Sequence, residues 1–183
     1  MATTPDDDDV RADARLSPAL IATLVAVPVA VIALFITFAA IKGSRHADPD
    51  PIPVDSYSTT GAEGADKCPA FIDLLPDALG DFGGKTVDGT TVRWTKDDSE
   101  PIVLRCGVTR PGELAPTSSL QVIDPVQWFM TDTIEGRGQV YVCVDHRPYI
   151  AMWVPAGAGN APITDVSNLI AKHLVRAPLD FGK

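Results

Sequence analysis

Between Ala19 and Ile41 the chain runs for 23 residues without a charge, interrupted only by Thr23, Pro28 and Thr37. At the α-helical rise such a segment spans about 34 Å, more than the roughly 30 Å of a bilayer's hydrocarbon. Two other structures use long apolar runs. A buried core helix is rarely uncharged for so long. A cleaved signal peptide has a shorter apolar region behind a basic start. This run instead follows the acidic stretch TPDDDDVRADAR, and Thr37-Phe38-Ala39 offers the small-residue pattern that cleavage would use. No cysteine follows closely, so a lipid-modified N-terminal cysteine has no candidate. The run reads as one uncleaved transmembrane helix over residues 18–41. Arg11 and Arg15 precede it and Lys42 and Arg45 follow, which leaves the positive-inside count tied. Ala22, Ala26 and Ala30 recur at four-residue spacing, a pattern that permits close helix–helix contact and self-association, although alanine is common in such spans.

The flanks of this run differ in character. Residues 1–17 are short and acidic, with the run Asp6 to Asp9, and read as a disordered solvated tail. Residues 42–67 are rich in Pro, Asp, Ser and Gly and read as a linker, with Pro49, Pro51 and Pro53 favouring an extended course. The net charge is −9, and the arginines stand singly among aspartates. Nucleic-acid binding, which needs a phosphate-neutralising face, is excluded on that ground.

Residues 68–183 carry the pattern of a folded domain. In CPAFIDLLPDALG, Phe71, Leu74, Leu75, Ala78 and Leu79 fall on one helical face, with Pro69 in the first turn and Pro76 breaking or tightening the end. Asp88-Gly89 marks a hairpin within TVDGTTVRW. PIVLRCGV alternates Ile102, Leu104, Cys106 and Val108 against Val103, Arg105 and Gly107. SLQVIDPVQWFM reads as a strand bent or ended at Asp124-Pro125. Val140 to Val144 and Tyr149 to Val154 read as two strands around the polar turn DHRP. A closing helix buries Ile163, Val166, Leu169, Ile170 and Leu174, and Asp165, Ser167, Asn168 and Lys172 face away. Strands between terminal helices predict α+β: an antiparallel sheet flanked by an N-terminal and a C-terminal helix.

Few residues invite chemistry. Cys68, Cys106 and Cys143 each stand apart, as do His46, His146 and His173, so no close ligand pair indicates zinc. No cofactor and no catalytic residue is assigned. Cys68, just before a helix, is the better placed of the thiols for reactivity. Bridging it to Cys106 would close a loop of about 39 residues, worth about 4 kcal/mol in the chain-entropy account. Such a bridge requires an oxidising compartment; free thiols are the alternative. Cys143 is then left over, either as a small strand residue or as a partner for an intermolecular disulfide. Asp145, His146 and Arg147 in DHRP, with Ser118-Ser119 elsewhere, could suggest acid–base work, but a solvated hairpin turn accounts for the motif. Asp97-Asp98 reads as a turn.

Five pieces in this order carry a resemblance: CPAFIDLLPDALG, PIVLRCGVTRP, PTSSLQVIDPVQWF, RGQVYVCVDHRPYIAMWVP and the closing helix. Cys68 with Leu74-Leu75-Pro76, and Arg105-Cys106-Gly107-Val108 with Pro111, are its most specific parts. The chain over about Cys68 to Val175 resembles the domain of unknown function 3515 family, uncharacterised actinobacterial membrane proteins. The resemblance implies a single span with the N-terminus inside and the domain exported, and it fits a Cys68–Cys106 pair. It leaves Cys143 outside the shared pattern and brings no activity with it.

Two function classes follow. One is a non-enzymatic, membrane-anchored extracytoplasmic module that binds a protein or cell-envelope component, for which Trp128, Tyr149 and Trp153 are the candidate surface. The other is an exported hydrolase-like enzyme with a site assembled from distant loops.

Overall fold

The computed structural model of the protein describes residues 30–34 and 50–182. The chain divides into two compact units, Met1–Asp50 and Pro51–Lys183. In the first, residues 30–34 are helical. The expected tail over 1–17, most of the span over 18–41 with Ala22 and Ala26, and residues 42–49 lie outside the described residues. Among the described residues no helix is long and apolar enough to cross a membrane.

Among its described residues the second unit holds two α-helices, two short 3₁₀ helices (Pro53–Ser56 and Ala65–Lys67) and nine strands. The α-helices are α1 (Cys68–Asp73) and α2 (Ala161–His173). The strands are β1 (Gly83–Asp88), β2 (Thr91–Thr95), β3 (Ile102–Val108), β4 (Leu120–Ile123), β5 (Val126–Ile134), β6 (Gly138–Cys143), β7 (His146–Arg147), β8 (Tyr149–Pro155) and β9 (Val175–Arg176). Seven form one antiparallel sheet in the order β1-β2-β3-β8-β6-β5-β4, and β7 pairs with β9 in a small second sheet. The architecture is α+β.

Each face of the large sheet has its own apolar cluster. One gathers Ile102, Leu104 and Cys106 of β3 under Phe71 and Ile72 of α1 and Ile163, Val166 and Ile170 of α2. The other gathers Val103, Val140, Val142, Ala151 and Trp153, and no α-helix covers it: Val54, Leu114 and the partly buried Leu179 do. Both faces of β8 are therefore dry, and all seven of its residues are buried. That explains why YIAMWVP reads as a continuous apolar run instead of an alternating one.

Four local expectations are revised. The first helix stops at Asp73, because Pro76 cannot donate the next helical hydrogen bond and disfavours helix at Leu75. The Leu74 and Leu75 amides fall back to the Phe71 and Ile72 carbonyls, and Leu74 and Ala78 turn outward. Asp124-Pro125 is the two-residue turn of a β4–β5 hairpin, not a bend in one strand. Val108 leaves the face of Cys106 for that of Val103, because Gly107, at φ 72°, sits in a bulge between them. Ser167 of α2 is buried, not outward: its Oγ accepts from Trp128 Nε1 at 2.9 Å and donates to the Ile163 carbonyl at 2.7 Å.

The linker boundary also moves. Residues 51–67 belong to the domain and are not a free tether. Val54 is fully buried in the second cluster. Asp55 pairs with Arg93 at 2.5 Å and its carbonyl accepts from Arg105 at 2.6 Å. The Thr109 amide donates to the Ser58 carbonyl at 2.8 Å. The expected extended course is instead interrupted by two short 3₁₀ turns, Pro53–Ser56 and Ala65–Lys67, closed by bonds such as the Asp55 amide to the Ile52 carbonyl at 3.0 Å.

Candidate functional site

Cys68 and Cys106 are joined by a disulfide between α1 and β3, with 5.6 Å between their Cα atoms. Both are fully buried. A Cβ on Gly107 would lie 3.1 Å from Cys68 Sγ and 3.2 Å from Ala65 Cβ, so this glycine serves the bulge and the close approach together.

The proposed aromatic surface does not form. Trp128 and Trp153 are fully buried and Tyr149 nearly so. Trp128 lies under α2, edge-on to Tyr141 at 6.4 Å between ring centroids. Trp153 belongs to the second cluster, with the Arg137 guanidinium 5.9 Å from its ring. Tyr149 lies beneath the Arg147 guanidinium at 3.9 Å. Both sheet faces are covered, so rings placed on either one become core, where their large apolar area contributes most.

The DHRP segment is where the structure departs furthest from its sequence reading. β6 ends at Cys143, and the chain passes through Val144 and Asp145 into β7 before returning along β8. The Val144 amide donates to the Gln127 carbonyl at 3.0 Å, which extends the β5–β6 pairing one step. β9 then lies against β7, and the Ala177 amide donates to the Asp145 carbonyl at 2.8 Å. Chain that follows α2 thus covers the turn. Asp145 is 2% exposed, His146 4% and Cys143 0%, so the solvated-turn reading is corrected to a buried polar cluster. Arg147 holds the lid: it pairs with Glu63 at 2.9 Å and donates to the carbonyls of Val144, His146 and Pro178.

Asp145 is the hub of that cluster. Its Oδ1 accepts from the Gln127 amide at 3.0 Å, from His146 Nδ1 at 2.8 Å and from Cys143 Sγ at 3.8 Å. A carboxylate oxygen accepts, so Nδ1 is the donor in this contact. Asp145 Oδ2 is buried without a hydrogen bond, and Arg176 Nε stands 3.6 Å away, an ion-pair distance too long for a hydrogen bond. Cys143 Sγ faces His146 Nδ1 at 3.9 Å, the nitrogen already committed to Asp145. Burial, then the Asp145 charge, push the Cys143 thiol well above its ordinary range. This arrangement keeps the thiol protonated and presents it no free base, the reverse of what an activated nucleophile requires.

Sequence reasoning treated Cys143 apart from DHRP. The signal that unites them is the spacing Cys-x-Asp-His within four residues, where β-strand alternation puts Cys143 and Asp145 on one side. Full burial also removes Cys143 as a partner for an intermolecular disulfide in this fold.

Fold and site together define a small disulfide-bridged α+β domain with a covered antiparallel sheet and a buried Cys-Asp-His cluster. The chain belongs to the family described as Protein of unknown function (DUF3515), whose model matches residues 25–179. Comparison with curated proteins and with solved structures finds no match to it.

Proposed function

We propose that the chain is a membrane-anchored, extracytoplasmic binding module without enzymatic activity, serving a protein or cell-envelope component. Residues 18–41 form its single span, the N-terminus is cytoplasmic, and self-association runs through Ala22, Ala26 and Ala30. The buried disulfide supports the oxidising side of the membrane, because cytosolic thiol systems keep such pairs reduced.

The observation that carries the non-enzymatic part is the wiring of Asp145. The His146 nitrogen nearest the thiol already serves the carboxylate, and the thiol is held neutral. A hydrolase of the cysteine–histidine kind would need that nitrogen free to take the thiol's proton. The exported-enzyme reading loses its best constellation for this reason.

The test is treatment of intact cells with a membrane-impermeant crosslinker, followed by recovery of the chain. The expected result is a discrete adduct with an envelope protein or wall fragment that persists in Cys143→Ser. Failure of the reagent to reach the domain would overturn the topology. Modification without any adduct would overturn the binding role.

A further inference from the structure

We propose that Cys143, Asp145 and His146 form a binding site for one borderline divalent transition-metal ion, Zn²⁺ matching the donors best. This inference is independent of the partner-binding role.

Each of the three residues offers a ligand atom, and these atoms lie within 4.8 Å of one another. The separations are 3.8 Å from Sγ to Oδ1, 3.9 Å from Sγ to Nδ1 and 2.8 Å from Nδ1 to Oδ1. Bonds of about 2.3 Å to sulfur and about 2.0–2.1 Å to nitrogen and oxygen give tetrahedral edges of about 3.4–3.6 Å. The two sulfur edges already sit within about 0.5 Å of that figure. The short third edge is closed by the hydrogen that Nδ1 donates to Oδ1. An ion takes the place of that hydrogen once the imidazole moves its proton to Nε2 and the Cys143 thiol gives up its proton to solvent, so binding releases one proton.

The second observation is independent of the donor spacing. Asp145 Oδ2 is a buried carboxylate oxygen without a hydrogen bond, the kind of group that folded proteins rarely leave unsatisfied. A cation bound by this carboxylate adds the counter-charge that Arg176, 3.6 Å from Oδ2, supplies only at a distance. Charge also balances: thiolate plus carboxylate neutralise a divalent ion, so no net charge is buried. Thiolate and imidazole favour zinc-like ions over calcium or magnesium, which prefer oxygen.

The cluster meets the surface at Asp145. Asp145 lines a surface depression with Gln127, Arg176, Ala177, Pro178 and Leu179. The Arg176 side chain, 3.6 Å from Oδ2, is 65% exposed and borders this depression. Three protein ligands leave a fourth position for water, as in zinc sites that are not purely structural.

The test uses the full-length chain purified in detergent, stripped with a chelator and titrated with Co²⁺, then Zn²⁺. Cys68 and Cys106 are joined and Cys143 is the one other cysteine, so a thiolate-to-cobalt charge-transfer band identifies Cys143 without any variant. The expected result is such a band saturating at one equivalent and displaced by Zn²⁺. His146→Gln and Asp145→Asn should each weaken Co²⁺ binding by about tenfold or more. Absence of the band in folded wild-type chain would overturn the proposal. So would a band left at full affinity in a folded His146→Gln chain.

Discussion

Removing the Cys68–Cys106 disulfide is the perturbation whose magnitude follows most directly from the fold. The two residues are 38 apart in sequence, so the bridge closes a loop of about 39 residues, and chain-entropy bookkeeping makes this worth about 4 kcal/mol. The replacement Cys68→Ala with Cys106→Ala keeps small apolar side chains at two fully buried positions, which limits the added cavity and hydroxyl-burial terms. For a unit of this size 1 kcal/mol moves the melting midpoint by about 3–5 °C, so the expected fall is about 10–20 °C. In urea the midpoint should drop by about 2 M, given slopes near 2 kcal/mol/M. The assay is thermal and urea unfolding followed by circular dichroism, on the wild-type chain with and without reductant and on the double variant. Reduced wild type and the double variant should melt together, and reductant should leave the variant unmoved. A reduced wild-type chain melting within about 2 °C of the oxidised one would refute the reasoning, because a constraint on the unfolded ensemble must appear whenever the bond opens.

Val54→Ala should cost about 2 kcal/mol in the same unfolding assay, whereas a side chain in a free linker would cost almost nothing; an unchanged midpoint would return residues 51–67 to tether status. Gly138→Ala should destabilise by about 2 kcal/mol or more, because its Cβ would meet the Val154 carbonyl oxygen at 2.5 Å and Pro155 Cα at 2.8 Å, both backbone atoms that cannot rotate away. Tyr57 is held above its ordinary pKa by burial and then by its hydrogen bond to Asp132. A raised folded-state value means that stability is fully present below the unfolded tyrosine pKa of about 10 and is lost as pH rises beyond it. Unfolding free energy of the wild-type chain should therefore fall above about pH 10, and Tyr57→Phe should flatten that fall; identical alkaline slopes would rule out this residue as a contributor.

Much of the domain was legible because its signals are local. Pro69 and Pro162 stand in the first turns of α1 and α2, and Gly89 opens the two-residue turn between β1 and β2. The alternation of Val140, Val142 and Val144 against Tyr141 and Cys143 matches the two clusters. What misled was distance along the chain. Arg93 reaches Asp55 across 38 residues and Arg147 reaches Glu63 across 84, and such pairs turn an apparent linker into part of the fold. Trp128 falls on one face of the sheet and Tyr149 and Trp153 on the other, and no pattern within a strand tells whether either face will be covered by something remote.

The amino-acid sequence by itself determined the elements of this domain: strand periodicity, turns and helix starts arise from contacts a few residues apart and survive in any context. The same is true of the uncharged run from Ala19 to Ile41, which owes its character to composition alone. Only the tertiary structure decided what became of the polar stretch from Cys143 to His146. Three polar residues ending a strand look like a wet turn until β9, reached only after the whole of α2, closes over them. Burial withdraws the water that would have satisfied these groups, so each must turn to its neighbours, and Asp145 becomes the hub of a cluster.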